Sequence, residues 1–206
     1  MKLPVISLKA KRNSLHPWIF NRMIRHPQKP VPPGTLVEVV SKEGGFIGRG
    51  IYNRKSNIGI RLLTENVTEH LCKEFILKKL EYAKALREEV LGIHKTSDCY
   101  RLVHGEADGL SGLIIDKFAH VIVVEPYSAG YIGIMDWIVS SLKTLYPDSN
   151  VTVRPKKRLR CEEWGKKRGG FLKKGKNPPP PSLKKNKKKK FYDDKFQIGT
   201  QNRFFS

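Results

Sequence analysis

Gly45-Phe-Ile-Gly-Arg-Gly-Ile-Tyr52, followed after a four-residue turn by Asn57-Ile-Gly-Ile-Arg-Leu-Leu63, decides the fold class. The second run alternates apolar and polar, with Ile58, Ile60 and Leu62 on one face, as a half-buried strand does. The first is broken by glycines, which let a strand bend sharply or accept a close neighbour. Upstream, Val5–Lys9 alternates again. Gly34-Thr-Leu-Val-Glu-Val-Val40 is a β-branched run entered through Pro30, Pro32 and Pro33. Many short strands with glycine kinks predict a small barrel. A short helix over residues 13–20, capped by Asn13 or Ser14, is expected between the first two strands.

Downstream the pattern changes. Residues 69–91 contain no Gly or Pro, and Leu71, Phe75, Leu80, Ala83, Leu86 and Val90 approximate one helical stripe. Gly92 is a natural stop. Tyr100–Val103, Gly112–Phe118 and Val121–Tyr127 read as strands, the last two as a hairpin turning at Ala119-His120. Tyr131–Tyr146 reads as a helix ended by Pro147, and Asn150–Arg154 starts another strand. The class is α+β.

The formal charge of +21 is unevenly placed. Residues 1–64 hold 12 Lys/Arg against Glu38 and Glu43. Residues 65–153 hold 9 against 13 acids, and residues 154–206 hold 19 against 4. Such a balance points to a polyanion, nucleic acid before membrane. No apolar run approaches the roughly 20 residues of a membrane span. The N-terminus lacks a signal-peptide pattern, so a cytoplasmic protein is expected. Cys72, Cys99 and Cys161 form no CxxC or Cys/His cluster, and neither zinc nor a disulfide framework is expected.

Two stretches carry a family resemblance. One is Leu15-His-Pro-Trp-Ile-Phe20 with Gly48-Arg-Gly-Ile-Tyr-Asn53 and Ile60-Arg-Leu-Leu63. The other is Tyr100-Arg-Leu-Val-His-Gly-Glu-Ala-Asp-Gly-Leu-Ser-Gly-Leu-Ile-Ile-Asp116. Both resemble the bacterial 23S ribosomal-RNA cytosine-C5 methyltransferases with an N-terminal PUA domain. The resemblance implies a PUA-like β pseudobarrel over 1–68 and a connecting helix over 69–92. A small α/β domain (strand-hairpin-helix-strand) over 93–153 would follow. The family's S-adenosylmethionine domain has no counterpart after residue 153, where no Gly-rich strand-to-helix turn appears. None of the three cysteines lies in a matching catalytic motif. No cofactor is therefore expected in this chain, S-adenosylmethionine belonging to the full-length family.

The expected partner is RNA, 23S ribosomal RNA by the resemblance, with neither membrane nor metal. Lys9, Lys11, Arg12, Arg22, Arg49, Arg54, Lys55 and Arg61 are the candidate phosphate contacts, with Arg25 beside them. Tyr52, next to Asn53, Arg54 and Lys55, is the candidate base-stacking residue; Trp18 reads as a core anchor with Ile19 and Phe20. His16 before Pro17 reads as structural. His104, Glu106 and Asp108, among Gly105, Gly109 and Gly112, read as a tied turn rather than a metal cluster.

Residues 154–206, with Pro178–Pro181 and Lys187–Lys190, are expected to form a disordered basic tail. Shifted by one base under suitable synonymous codons, Ile198–Ser206 reads Ser-Ala-His-Lys-Thr-Gly-Phe-Phe. The family carries such a segment before its catalytic domain, so the tail is expected to be a frameshifted, truncated end. Two alternatives stand beside this: an rRNA methyltransferase proper, and a basic ribosome-associated protein binding through its Lys-rich tail.

Overall fold

A computed structural model describes residues 3–154. The predictions of a disordered and out-of-frame tail fall on residues outside the described ones.

Six strands form the first sheet: β1 (Val5–Leu8), β2 (Trp18–Phe20), β3 (Ile24–Arg25), β4 (Thr35–Val40), β5 (Phe46–Tyr52) and β6 (Ile58–Thr64). Their order is β2-β6-β5-β4-β1-β3. All neighbours are antiparallel except β1 and β4. β2 and β3 lie at opposite ends of this order, yet only the 3-10 turn Asn21–Met23 separates them in the chain. The sheet must therefore curl until its two edges meet, which makes a pseudobarrel. Ile6, Leu8, Ile19, Ile24, Val37, Val39, Tyr52, Ile60 and Leu62 fill its interior.

Pairing is interrupted where closure needs it. The register shifts between Arg49 and Gly50 opposite β6. A Cβ on Gly50 would sit 2.1 Å from the Arg61 carbonyl oxygen and 2.8 Å from Leu62 Cα. The glycine allows β6 to cross β5 at backbone contact, as the sequence pattern predicted.

The helix predicted over residues 13–20 is not formed; residues 18–20 are strand β2. Pro17 biases His16 to extended backbone. Ile19, fully buried, gains more from pairing with Ile60 inside the barrel than from a short exposed helix.

The second sheet, ordered β10-β9-β8-β7, comprises β7 (Cys99–His104), β8 (Leu113–Phe118), β9 (Val121–Pro126) and β10 (Asn150–Val153). β8 and β9 form the predicted hairpin, with Ala119 at φ 48° in its turn. β9, α2 (Met135–Leu145) and the parallel β10 make a β-α-β crossover. α1 (Lys73–Ala85) packs on α2 and brings Phe75, Ile76, Leu80 and Ala83 into a core with Leu102, Leu113, Ile115, Val124, Ile138 and Leu142.

α1 begins four residues later than predicted, because the chain before it is otherwise employed. Arg49 binds the carbonyls of Val67 and Glu69, and the Glu69 carboxylate takes the Thr64 hydroxyl. The helix continues into a π turn over Leu86–Val90 before Gly92 stops it at φ 59°. The wider turn rotates Val90 off the apolar stripe, leaving it 74% exposed.

Both faces of β5 and β6 are covered. Tyr52 and Leu62 point into the barrel, while Ile51 and Leu63 join the second core. Gly130 admits this contact, since a Cβ there would lie 1.7 Å from Ile51 Cγ2. Polar groups complete the junction. The Trp18 indole N–H donates to Glu106 Oε1 at 2.8 Å, Ser111 Oγ donates to the same oxygen at 2.9 Å, and Arg61 pairs with it at 3.3 Å. The Arg61 guanidinium also lies 5.3 Å from the Trp18 ring centre.

Candidate nucleic-acid interface

Which cations are available to a polyanion depends on what the fold has already done with them. Four of the predicted contacts are committed within the protein. Arg49 is buried against Glu38 at 3.0 Å, its register partner on β4. Arg12 pairs with Glu65 at 2.7 Å and donates to the His16 carbonyl. Arg61 belongs to the junction with Glu106. Tyr52 is fully buried, so it cannot stack on a base without leaving the barrel core. The sequence reading had not assigned these four any partner within the protein. A strand covered on both faces buries even a tyrosine followed by polar residues.

The remaining candidates, Lys9, Lys11, Arg22, Arg54 and Lys55, are exposed, as is Arg25. None makes an ion pair with a carboxylate among the described residues. Three chain segments bring most of them to one margin. Lys9 follows β1 and its backbone N–H donates to the Met23 carbonyl beside β3. Arg22 lies in the turn before β3. Arg54 and Lys55 lie in the β5–β6 turn, shaped by Asn53 Oδ1 accepting from the Lys55 N–H at 2.9 Å. Asn21 joins the last two segments, its side-chain amide donating to the Arg54 carbonyl at 2.7 Å. The Asn21 backbone N–H donates to the Asn57 carbonyl.

Two residues of this margin escaped the sequence reading. Phe20, taken there as core, is 41% exposed, with the Arg22 guanidinium 5.8 Å from its ring centre. It replaces Tyr52 as the accessible aromatic beside the cations. His26 lies just after β3, half-buried, with Nδ1 3.0 Å from the Tyr52 hydroxyl. Burial first, then the charges of Arg54 and Lys9, hold its imidazole below the ordinary histidine range. Burial raises the Tyr52 phenol against the opposing Arg54 charge, so its hydroxyl keeps its proton. The Asn residues at both ends of the turn were the available signal for this arrangement. Nothing in the sequence pairs His26 with Tyr52.

A consequence is measurable. Tyr52→Phe should cost about 1 kcal/mol of stability, the usual worth of one partly buried hydrogen bond. Denaturant melts of the variant and the wild type check this, and equal stability would show that the Tyr52–His26 bond contributes nothing to the fold.

The His104–Asp108 region is a tied turn. Asp108 forms a two-pronged pair with Arg87, 2.5 and 2.8 Å, and accepts the His104 N–H at 2.6 Å. Burial would raise the Glu106 carboxyl, but bonds from Trp18 and Ser111 and the Arg61 charge outweigh it and hold the group below the usual range. No helix among the described residues is long and apolar enough to cross a membrane.

The sequence profile of the PUA-like domain matches residues 8–65. The chain is 36% identical over 157 residues to ribosomal RNA large subunit methyltransferase I of Aliivibrio fischeri (strain MJ11), covering 76% of this chain and 39% of that protein. It is 35% identical over 176 residues to the protein of the same name from Photobacterium profundum, covering 84% of this chain and 44% of the relative. The chain thus spans about two-fifths of the length of the curated relatives it matches. A solved structure assigned as a SAM-dependent methyltransferase from Streptococcus mutans superposes with a TM-score of 0.60 at 16% identity, over 74% of this chain and 41% of that one. That likeness establishes a shared fold.

Proposed function

We propose that this chain binds ribosomal RNA through the exposed basic margin of its barrel, as the RNA-gripping part of a 23S rRNA (cytosine-C5) methyltransferase-like protein of the cytoplasm. One observation carries the reading. Among the described residues, Lys9, Arg22, Arg54 and Lys55 are exposed, make no ion pair, and are brought to one margin of the barrel by the contacts of Met23 and Asn21. Residues 65–153 carry the acidic balance, so among the described residues the positive excess lies on the barrel. The relatives' name supports ribosomal RNA as the polyanion.

S-adenosylmethionine, implied by the relatives' chemistry, does not fit the described residues. Their β-α-β crossover is where a nucleotide-like ligand would meet a helix start. There the turn Ala129–Ile132 is packed on Ile51 instead, with Ala129, Gly130 and Tyr131 buried. The contribution proposed for the described residues is grip and placement of RNA.

A filter-binding titration of a 23S transcript at several salt concentrations tests the reading. Each phosphate contact contributes roughly 0.7–0.9 to the slope of log affinity against log salt. Replacing Lys9, Arg54 and Lys55 together by alanine should lower that slope by about 2–3 and weaken binding roughly tenfold at low salt. Phe20→Ala should weaken binding with the slope intact, since stacking releases no counterions. Deleting residues 155–206 should leave structured RNA bound. If that deletion abolishes binding, the Lys-rich tail is the binding element and the barrel reading is wrong.

A further inference from the structure

Beside the junction of the barrel with the small α/β domain lies a cleft of about 340 Å³, lined by Pro17, Leu63, Lys79, Glu106 and Gly109 among others. Its volume is at the lower end of the roughly 300–1,000 Å³ of small-ligand pockets. Glu65 on its wall is already paired with Arg12 at 2.7 Å. Glu106 is only half used. The bonds from Trp18, Ser111 and Arg61 all fall on Oε1. Oε2 takes no bond from another of the described residues, and it is not buried. The carboxyl is held below the usual range, so at neutral pH this oxygen is an acceptor only. Lys79 reaches the cleft from α1, its ammonium 5.3 Å from the Phe75 ring centre, and pairs with no carboxylate among the described residues. Gly109, at φ 69°, lets that ammonium close over the turn that carries Glu106: a Cβ there would lie 3.2 Å from Lys79 Nζ. An accessible anionic acceptor and a cation without a counter-ion thus line one space with the apolar ring of Pro17.

We propose that this cleft holds one unpaired RNA base bearing an exocyclic amino group, which donates to Glu106 Oε2 while Lys79 donates to the ring nitrogen beside it. The inference rests on the RNA-binding reading above and names what the protein reads beyond phosphates. Single-stranded bases are recognised by hydrogen bonds to their edges once they are splayed out of a stack. Cytosine and adenine each place an amino donor beside an unprotonated ring nitrogen, which matches an anionic acceptor beside a cationic donor. Uracil has carbonyl oxygens on both sides of its single N–H, and one of them would face the carboxylate. The cleft is within reach of the basic margin. Pro17 precedes β2 and Phe20 ends it, so the two lie about 10 Å apart along that strand at roughly 3.3 Å per residue, and one RNA strand spans both.

The test measures fluorescence anisotropy of labelled oligo(rC), oligo(rA) and oligo(rU) with the full chain at neutral pH and one salt concentration. Oligo(rC) should bind about tenfold more tightly than oligo(rU), the discrimination of one good base contact, and oligo(rA) should also exceed oligo(rU). Oligo(rC) with both amino hydrogens replaced by methyl groups should fall to the oligo(rU) level, because the donor is gone. In Glu106→Gln the side-chain oxygen stays with Trp18 and Ser111, so the amide NH2 takes the place of Oε2. The preference for oligo(rC) should then vanish or reverse, whereas a merely structural carboxylate would weaken all three RNAs alike. Lys79→Met should weaken oligo(rC) binding with the salt slope unchanged, since a base contact neutralises no phosphate. Equal binding of oligo(rC) and oligo(rU) by the wild type overturns the inference and leaves the RNA reading standing. A preference for oligo(rC) that survives Glu106→Gln overturns it equally. If no RNA binds, cytidine and uridine are titrated instead while the Trp18 indole N–H resonance is followed. A shift with cytidine alone keeps the base site and rejects its assignment to RNA; no shift with either overturns both.

Discussion

Gly50→Ala should lower the melting temperature by roughly 6–12 °C, equivalent to about 3 kcal/mol for a chain of this size. The added methyl would stand 2.1 Å from the Arg61 carbonyl oxygen and 2.8 Å from both the Arg61 carbonyl carbon and Leu62 Cα. All three are backbone atoms of β6, so relief requires moving a strand rather than rotating a side chain. β6 cannot move alone. It pairs with β2 as well as β5, and its other face carries Leu63 into the second core. The strain therefore spreads through the barrel's closure and its junction with the small α/β domain. Gly133→Ala is the control: its nearest neighbour for a Cβ is 4.0 Å away and its backbone is helical at φ −69°. That change should be neutral or slightly stabilising, because alanine restricts the unfolded chain more than glycine does. Calorimetry on the two variants decides. A Gly50→Ala protein that melts with the wild type would mean that β5 and β6 do not approach as closely as described.

This glycine shows how far the sequence could be read. Gly48-Arg-Gly50 between apolar runs announced a strand that must kink, and the kink is where the register shifts. The hairpin at Ala119-His120 and the stop at Gly92 were equally local, and local chemistry determines them. What escaped were facts that depend on partners distant in the chain. Arg49 and Arg61 read as surface cations because nothing nearby in sequence neutralises them. One finds Glu38 across a strand pair and the other finds Glu106, 45 residues away. Tyr52 read as a base-stacking candidate because Asn53, Arg54 and Lys55 follow it in the chain. The packing of Ile51 against Gly130 covers the outer face of β5, and only the assembled structure places it there. Residues 18–20 were misread for the opposite reason: a plausible local cap at Asn13 or Ser14 lost to pairing with β6. The exposed half of the candidate interface was legible from composition, whereas its geometry around Asn21 and His26 was not.

Glu106→Ala should destabilise the protein by about 2–3 kcal/mol and loosen the contact between the two sheets. One carboxylate oxygen takes the Trp18 indole, the Ser111 hydroxyl and the Arg61 guanidinium. Removing it leaves the largely buried Arg61 side chain without that counter-charge and the Trp18 N–H with only its longer contact to Ser111, 3.2 Å. A fully buried pair broken on one side costs about 3–5 kcal/mol; a third of the Glu106 side chain remains in water, which reduces the figure. Glu106→Gln separates the two contributions. Its amide oxygen still accepts from Trp18 and Ser111, but the charge facing Arg61 is gone, so it should lose roughly half as much. The carboxyl is held below its ordinary value in the folded protein, so its contribution is present above about pH 4.5 and disappears as pH falls through the lowered range. The stability gap between wild type and Glu106→Gln should therefore be constant near neutrality and close on acidification below that point. Urea melts at a series of pH values measure the gap, and the Trp18 indole N–H resonance reports the junction directly. A gap that stays open to the lowest pH at which both proteins fold would show that the Glu106 charge does not hold the barrel to its neighbour.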